Sequence, residues 1–179
     1  LIELMITLVV LVVLISLAAP QMGQFVDQRR LVGAAEAVYS HLQLARTEAV
    51  KQSRNMFISI DEGTGTNWCM GFTDDTSGCD CAEATVIGTS PCTILADSDT
   101  VRVLARITAD PFTNVTMLNP PTVTISIDYV RGIIEPVDTH TTTLQSARGR
   151  ELQVSIGPLG RTRICSPTGT ANVPGYPEC

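Results

Sequence analysis

Leu1-Ile2-Glu3-Leu4-Met5-Ile6-Thr7-Leu8-Val9-Val10-Leu11-Val12-Val13-Leu14-Ile15-Ser16-Leu17-Ala18-Ala19 is an almost unbroken apolar run with one carboxylate in it. As a helix rising ~1.5 Å per residue it would reach roughly 28 Å, about the hydrocarbon thickness of a bilayer. A cleaved secretory signal would carry a basic region before such a run and a small-residue cleavage site behind it. No basic leader stands before it, so a membrane or filament segment is the expectation. Glu3 is the anomaly, because an ionised carboxylate near hydrocarbon is costly unless it reaches the interface or meets a cation. Its place near the helix end allows snorkelling to the headgroups, and a functional partner is the other reading.

Outward from that run, 179 residues leave room for one compact domain. Twelve Lys and Arg against eighteen Asp and Glu give a formal net charge of -6. That sign excludes a protein that coats nucleic acid over its whole surface, so any such contact has to be local. All six cysteines follow the helical first third, in a part rich in Gly, Pro, Thr and Asp. An even count behind a hydrophobic segment points to oxidised pairs in a head that folds in the periplasm or outside. Zinc is disfavoured, since Cys79 and Cys81 are one residue apart and His41 and His140 lie far from them.

Pro20 and Gly23 follow the apolar run, and a proline removes a backbone donor and kinks or melts a helix. Gly23 loosens the same stretch. Next, Phe25, Leu31, Ala35, Val38, Leu42, Ala45 and Ala49 fall on one helical face, with Arg29, Arg30, Glu36, Gln43, Arg46 and Lys51 largely elsewhere. This half packs on a core, and its end is expected between Ser53 and Asn55. Downstream, β-like runs at 56–60, 68–72, 101–107, 123–130, 152–156 and 161–165 are broken by Gly, Pro, Asn and Asp clusters. The expected fold is α+β: a long N-terminal helix, apolar half plus amphipathic half, packed on an antiparallel β-sheet head. The expected divisions are 1–23, a transmembrane or filament-core helix, 24–54, an amphipathic helix on the head, and 55–179, the β-rich disulfide-containing head.

Leu1-Ile2-Glu3-Leu4-Met5 resembles the start of the type IV pilin and pseudopilin family, whose mature chains begin with an N-methylated phenylalanine, a threonine and then Leu-Ile-Glu. The resemblance implies that Glu3 neutralises the N-terminal amine of a neighbouring subunit during filament assembly, and that the region around Pro20 can extend. It implies other pilin or pseudopilin subunits, a prepilin peptidase, an inner-membrane assembly platform and an ATPase as partners. It also implies a single-pass inner-membrane anchor with a periplasmic head before entry into a pilus or pseudopilus. The family's leader, cleavage-site glycine and first two mature residues are absent, and truncation is the expected reason. Leu42-Gln43-Leu44-Ala45-Arg46-Thr47-Glu48-Ala49-Val50-Lys51 is similar to the helix end of the GspH/FimT/FimU subgroup of minor pilins and minor pseudopilins.

Near the C-terminus, Gly160-Arg161-Thr162-Arg163 leads into Ile164-Cys165. In an extended chain Arg161 and Arg163 project the same way, because side chains alternate with period two. Each guanidinium can donate a forked pair of hydrogen bonds to phosphate without reading a base, and Gly160 would let that backbone approach closely. A solvated strand face accounts for the same residues. The stretch resembles the GRxR motif of FimT-type minor pilins, which implies binding of double-stranded DNA during natural transformation through Gly160, Arg161 and Arg163. Arg148 and Arg150, flanking Gly149, would extend the patch if folding brings their loop alongside; solubility is their simpler role. Neutralising two to four phosphates would give a log-log salt slope of roughly -2 to -4. The alternative is a GspH-like minor pseudopilin of type II secretion, which would share Glu3, helix and sheet without needing the arginine pair.

Cys165 and Cys179 enclose a Pro/Gly-rich tail and are expected to pair, with ~3 kcal/mol of stabilisation in the chain-entropy account. Among Cys69, Cys79, Cys81 and Cys92 three pairings are open, with Cys69 joined to Cys79 or Cys81 as the expectation. His41 on the helix and His140 in the Thr-rich stretch 138–141, read as an exposed polar loop, offer no nucleophile–base pair. No Gly-rich phosphate loop followed by Lys and Ser/Thr occurs. Asp74, Asp75, Asp80, Asp97 and Asp99 lack calcium-loop spacing and read as a solvated acidic loop. No enzymatic activity, metal or cofactor is expected.

Overall fold

The computed structural model describes residues 1–96 and 101–179, without the side chains of 17–21. The side chain of Pro20 and the acidic positions Asp97 and Asp99 lie outside what is described. Helix α1 (Ile2–Gln52) ends where the apolar pattern stops. Ser53 closes it in the left-handed region (φ 51°), with its N–H on the Val50 carbonyl at 3.3 Å and the Arg54 N–H on the Ala49 carbonyl at 3.1 Å. Gly23 lies within the helix, and its missing side chain makes room: a Cβ there would stand 2.8 Å from Nη2 of Arg148. The described large apolar residues between Leu1 and Ile15 are exposed. Among the described residues no helix is long and apolar enough to cross a membrane.

The strands are antiparallel as expected and divide into two sheets and a ribbon. Strands β1 (Met56–Asp61), β2 (Cys69–Thr73), β5 (Arg106–Thr108), β7 (Ile125–Ile127) and β8 (Ile134–Glu135) make a five-stranded sheet in the order β5-β2-β1-β7-β8. Strands β6 (Val115–Leu118), β9 (His140–Ser146), β10 (Glu151–Ile156) and β11 (Thr162–Cys165) make a four-stranded sheet in the order β11-β10-β9-β6. Strands β3 (Thr93–Leu95) and β4 (Arg102–Leu104) pair as a ribbon, and all strand pairings are antiparallel.

Two departures from expectation have clear causes. The run at 101–107 splits at buried Ala105, whose N–H donates to Cys92 C=O (2.8 Å) while its C=O accepts from Phe72 N–H (3.0 Å). The chain therefore changes pairing partner in mid-run. The stretch around His140 is not a loop, because three β-branched threonines suit a pleated surface. His140 opens β9, which pairs with β10 on one side and β6 on the other. Its Nε2 lies 3.1 Å from the Pro136 carbonyl.

Both sheets lie on the same stretch of α1, where Leu31, Ala34, Ala35, Val38, Leu42, Ala45 and Ala49 are buried. Phe25, expected on this face, is 59% exposed and lies under the Arg29 guanidinium at 4.9 Å. Burial of apolar side chains against the head thus begins at Leu31. Trp68 fills the space between the sheets, donating from Nε1 to Val115 C=O at 3.1 Å and stacking on Phe112. Disulfides Cys69–Cys81 and Cys79–Cys92 overlap in sequence and tie the 74–92 loop onto β2, while Cys165–Cys179 closes the tail. Gly71 is required under this knot, since a Cβ would stand 2.4 Å from Cys92 Sγ. Asp74 is not solvated: its carboxylate is buried and takes 3.0 Å ion pairs from Arg54 and Arg102, joining the helix exit to β4.

The hairpin joining β10 to β11 is anchored to the helix. Its turn is closed by Gly157 N–H to Arg161 C=O (2.9 Å) and Gly160 N–H to Gly157 C=O (2.8 Å), with Gly160 at φ 70°. Ile134 N–H donates to Pro158 C=O at 2.9 Å, and Arg46 Nη1 donates to Gly160 C=O at 3.2 Å. Gly160 is buried, and a Cβ there would lie 2.9 Å from Gly132 O. Its close approach is to its own fold and not to a ligand. We expect Gly160→Ala to destabilise the head by about 2 kcal/mol, the left-handed φ and the carbonyl contact acting together. Gly149→Ala, at φ 74° with open space around it, should lose only about 1 kcal/mol. Urea unfolding of both variants tests the difference.

His41 is buried on α1 against the Phe72 ring at 4.8 Å, and its Nε2 has no hydrogen-bond partner among the described residues. Burial pushes its imidazole down to about 4, with a hydrogen bond to the Ala105 backbone opposing. The folded value lies below the unfolded one of 6.5, so the unfolded chain takes up a proton that the folded chain refuses. Stability is therefore unaffected above pH 6.5 and falls between pH 6.5 and 4, by about 3 kcal/mol in full. Asp75 acts in a separate window: Ser77 holds its carboxyl below the ordinary 3.8, a stabilisation present above that value and lost as pH falls further. Urea midpoints at pH 7 and 4.5 should separate sharply in the wild type and much less in His41→Leu.

Candidate nucleic-acid interface

In the four-stranded sheet the inward residues of β10 are Leu152, Val154 and Ile156, so Glu151, Gln153 and Ser155 face outward. Arg163 is the direct partner of Ser155 on the edge strand β11 and shares that outer face. Arg161 precedes it by two residues, immediately before β11 begins, where its carbonyl closes the β10–β11 turn. Both arginines are exposed, and among the described residues neither side chain has a hydrogen bond or ion pair. The helix holds the hairpin through Arg46 and Gly160, so the pair sits on a fixed edge and not on a loose tail.

The second basic loop does not extend this patch. Arg148 and Arg150 lie in the turn between β9 and β10, at the other end of the six-residue β10, roughly 20 Å away at strand rise. Each is already engaged: Arg148 Nε pairs with Asp27 at 2.9 Å, and Arg150 Nη1 donates to the Asn172 carbonyl. Sequence reading missed a better candidate. Arg131 is exposed and free of side-chain partners among the described residues, and it neighbours Gly132, whose carbonyl lies beneath Gly160. No signal in the sequence links positions 131 and 160; only the meeting of the β7–β8 turn with the β10–β11 hairpin does.

Beside Arg163 runs a groove of about 280 Å³ between the outer sheet face and the disulfide-closed tail. Thr139, Thr141, Gln153 and Ser155 line one side, Pro177, Glu178 and Cys179 the other. The tail itself is held by Ser166 N–H to Pro177 C=O (2.8 Å) and Cys179 N–H to Ser166 C=O (3.1 Å). Tyr176 donates from its hydroxyl to Glu36 on α1 at 3.3 Å, and burial together with that carboxylate raises its phenol above the ordinary value. The groove can donate hydrogen bonds to an anion from Arg163 and from hydroxyls, with Glu178 opposing. At the far end of the molecule Glu3 is exposed in the first turn of α1, surrounded by exposed apolar side chains.

The family described as type II transport protein GspH matches residues 34–160, from the buried helix face to the glycine before the arginine pair. No curated protein matches the sequence. Among solved structures, the type IV minor pilin FimU of Pseudomonas aeruginosa is similar at 20% identity, covering 85% of this chain and 98% of that one, with a TM-score of 0.49. The minor pseudopilin EpsH from the type 2 secretion system of Vibrio cholerae is similar at 13% identity, covering 78% and 99%, with a TM-score of 0.48. With its family model matched over most of the head and the packed half of the helix, the chain belongs to the GspH family of pilin-like filament subunits, structural proteins and not enzymes.

Proposed function

We infer that the chain is a minor subunit of a type IV pilus that captures double-stranded DNA on the edge of its head. The observation that carries this reading is the pair Arg161 and Arg163, exposed, unpartnered among the described residues and two apart at the start of the edge strand β11. The filament part rests on the apolar half of α1. Its exposed side chains continue directly into a helix whose other half is buried in a complete core, so they need lipid before assembly and neighbouring subunits after it. On this reading residues 1–23 are the membrane and filament-core segment, 24–54 the helix that carries the head, and 55–179 the head. A prepilin peptidase, an inner-membrane platform and an ATPase serve its assembly, and Glu3 meets the amine of a neighbouring subunit. Glu3→Ala should lower incorporation into filaments at least tenfold at equal expression, as measured by immunoblot of sheared filaments; normal incorporation would remove that role.

A second reading, a minor pseudopilin of type II secretion, is favoured by the description of the matching family and by the net charge of -6. DNA binding separates the two. The head from Gln24 onward should bind duplex DNA with a log-log salt slope of roughly -2, one phosphate for each arginine. Arg161→Ala/Arg163→Ala should lose that binding. Equal retention by wild type and double variant would sink the arginine role, and no binding by either would favour the pseudopilin.

A further inference from the structure

We propose that the groove beside Arg163 seats one backbone phosphate of the bound DNA, with Ser155 and Thr141 as neutral donors, so that the strand crosses the sheet instead of following its edge. This rests on the DNA-binding reading above. The register supplies the geometry: Arg163 lies directly opposite Ser155 on β10, and Ser155 directly opposite Thr141 on β9. Neighbouring strands stand about 4.8 Å apart, so guanidinium and two hydroxyls form a row roughly 10 Å long on one face. All three line the groove, and none of their side chains has a hydrogen bond among the described residues. The row thus combines one fixed charge with two rotatable donors. A guanidinium fixes a phosphate bidentately, and hydroxyls add charge-assisted hydrogen bonds of their own.

The opposite wall decides how strong the site is. Glu178 lines the same groove, one residue from the disulfide that closes the tail, and its carboxylate repels an incoming phosphate. The tail therefore sets the width of the groove and holds affinity down. At about 280 Å³ the groove admits a phosphate with its sugar and excludes the side of a whole duplex, so the phosphate enters from a strand lying over the rim. Neutral and charged contacts are separable by salt, because only a charge that replaces a counterion changes the slope.

The test is binding of the 179-residue chain, held in detergent, to a 20-base-pair duplex across a salt series, with thermal midpoints recorded for every variant. Ser155→Ala and Thr141→Val should each weaken binding about threefold to tenfold without changing the salt slope. Glu178→Gln should strengthen it about threefold at low salt, and Arg163→Ala should reduce the slope by about one. Wild-type affinity in both hydroxyl variants, or unchanged or weaker binding by Glu178→Gln, would overturn the groove while leaving Arg161 and Arg163 as edge contacts. Absence of binding by the wild-type chain would overturn both the groove and the reading beneath it.

Discussion

The close approach of two sheets to one narrow helix face is the constraint on which the rest of this molecule depends. Ala34, Ala35, Ala45 and Ala49 are fully buried on that face, and no larger side chain could occupy those positions without pushing the sheets away. Bulk is supplied from the other side, by Met56, Ile58, Phe72 and Ile125 of the five-stranded sheet and by Leu144, Leu152 and Val154 of the four-stranded one. Because both sheets use one helix, their loops meet over it. The β7–β8 turn and the β10–β11 hairpin converge at Arg46, which donates to Gly160 and lies against Gly132. The edge that carries Arg161 and Arg163 is thus placed by helix packing, and so is the neighbour Arg131.

Helix α1 serves two environments without a break in secondary structure between its described halves. Its first part exposes apolar side chains, which on the reading proposed above lipid or neighbouring subunits cover; its second part hides a stripe and presents charge elsewhere. The division falls near Leu31, later than the residue pattern indicated. Phe25 has the spacing of a core residue, but near it the head reaches the helix only through polar contacts such as Arg148 with Asp27, and its ring is left 59% exposed under Arg29. Periodicity identifies a face, whereas coverage of that face depends on where the head begins.

The same distinction explains which parts were legible in the sequence. Strand β10 alternates apolar and polar residues and β1 is a short apolar run, so both were readable, as was the helix end. Strand β9 was not, because Thr141, Thr142 and Thr143 are polar in composition and only their branched Cβ atoms favour a strand. The short strands β3, β6 and β8 carry too few residues to show a period. The partners of Asp74 lie 20 and 28 residues away, and its burial follows from folds in the chain that composition does not encode. The arginine pair was legible as a pattern, but the groove next to it depends on the register of three strands and on where Cys179 returns to Cys165.

Charge accounting gives the pair its meaning. In an acidic chain most arginines have work inside the fold: Arg54 and Arg102 hold Asp74, Arg106 holds the Cys81 carbonyl, Arg148 holds Asp27, Arg150 holds the Asn172 carbonyl and Arg46 the hairpin. Side chains left without such a partner among the described residues are Arg29, which rests on the Phe25 ring, Arg30, Arg131, Arg161 and Arg163. Three of these five belong to the β7–β8 turn and the start of β11, which meet at Gly132 and Gly160. A solubility role would scatter uncommitted charge over the surface, since isolated exposed cations serve it equally well anywhere. On the reading proposed above, their gathering at one seam, on a protein whose net charge is negative, is what offers a polyanion the least resistance.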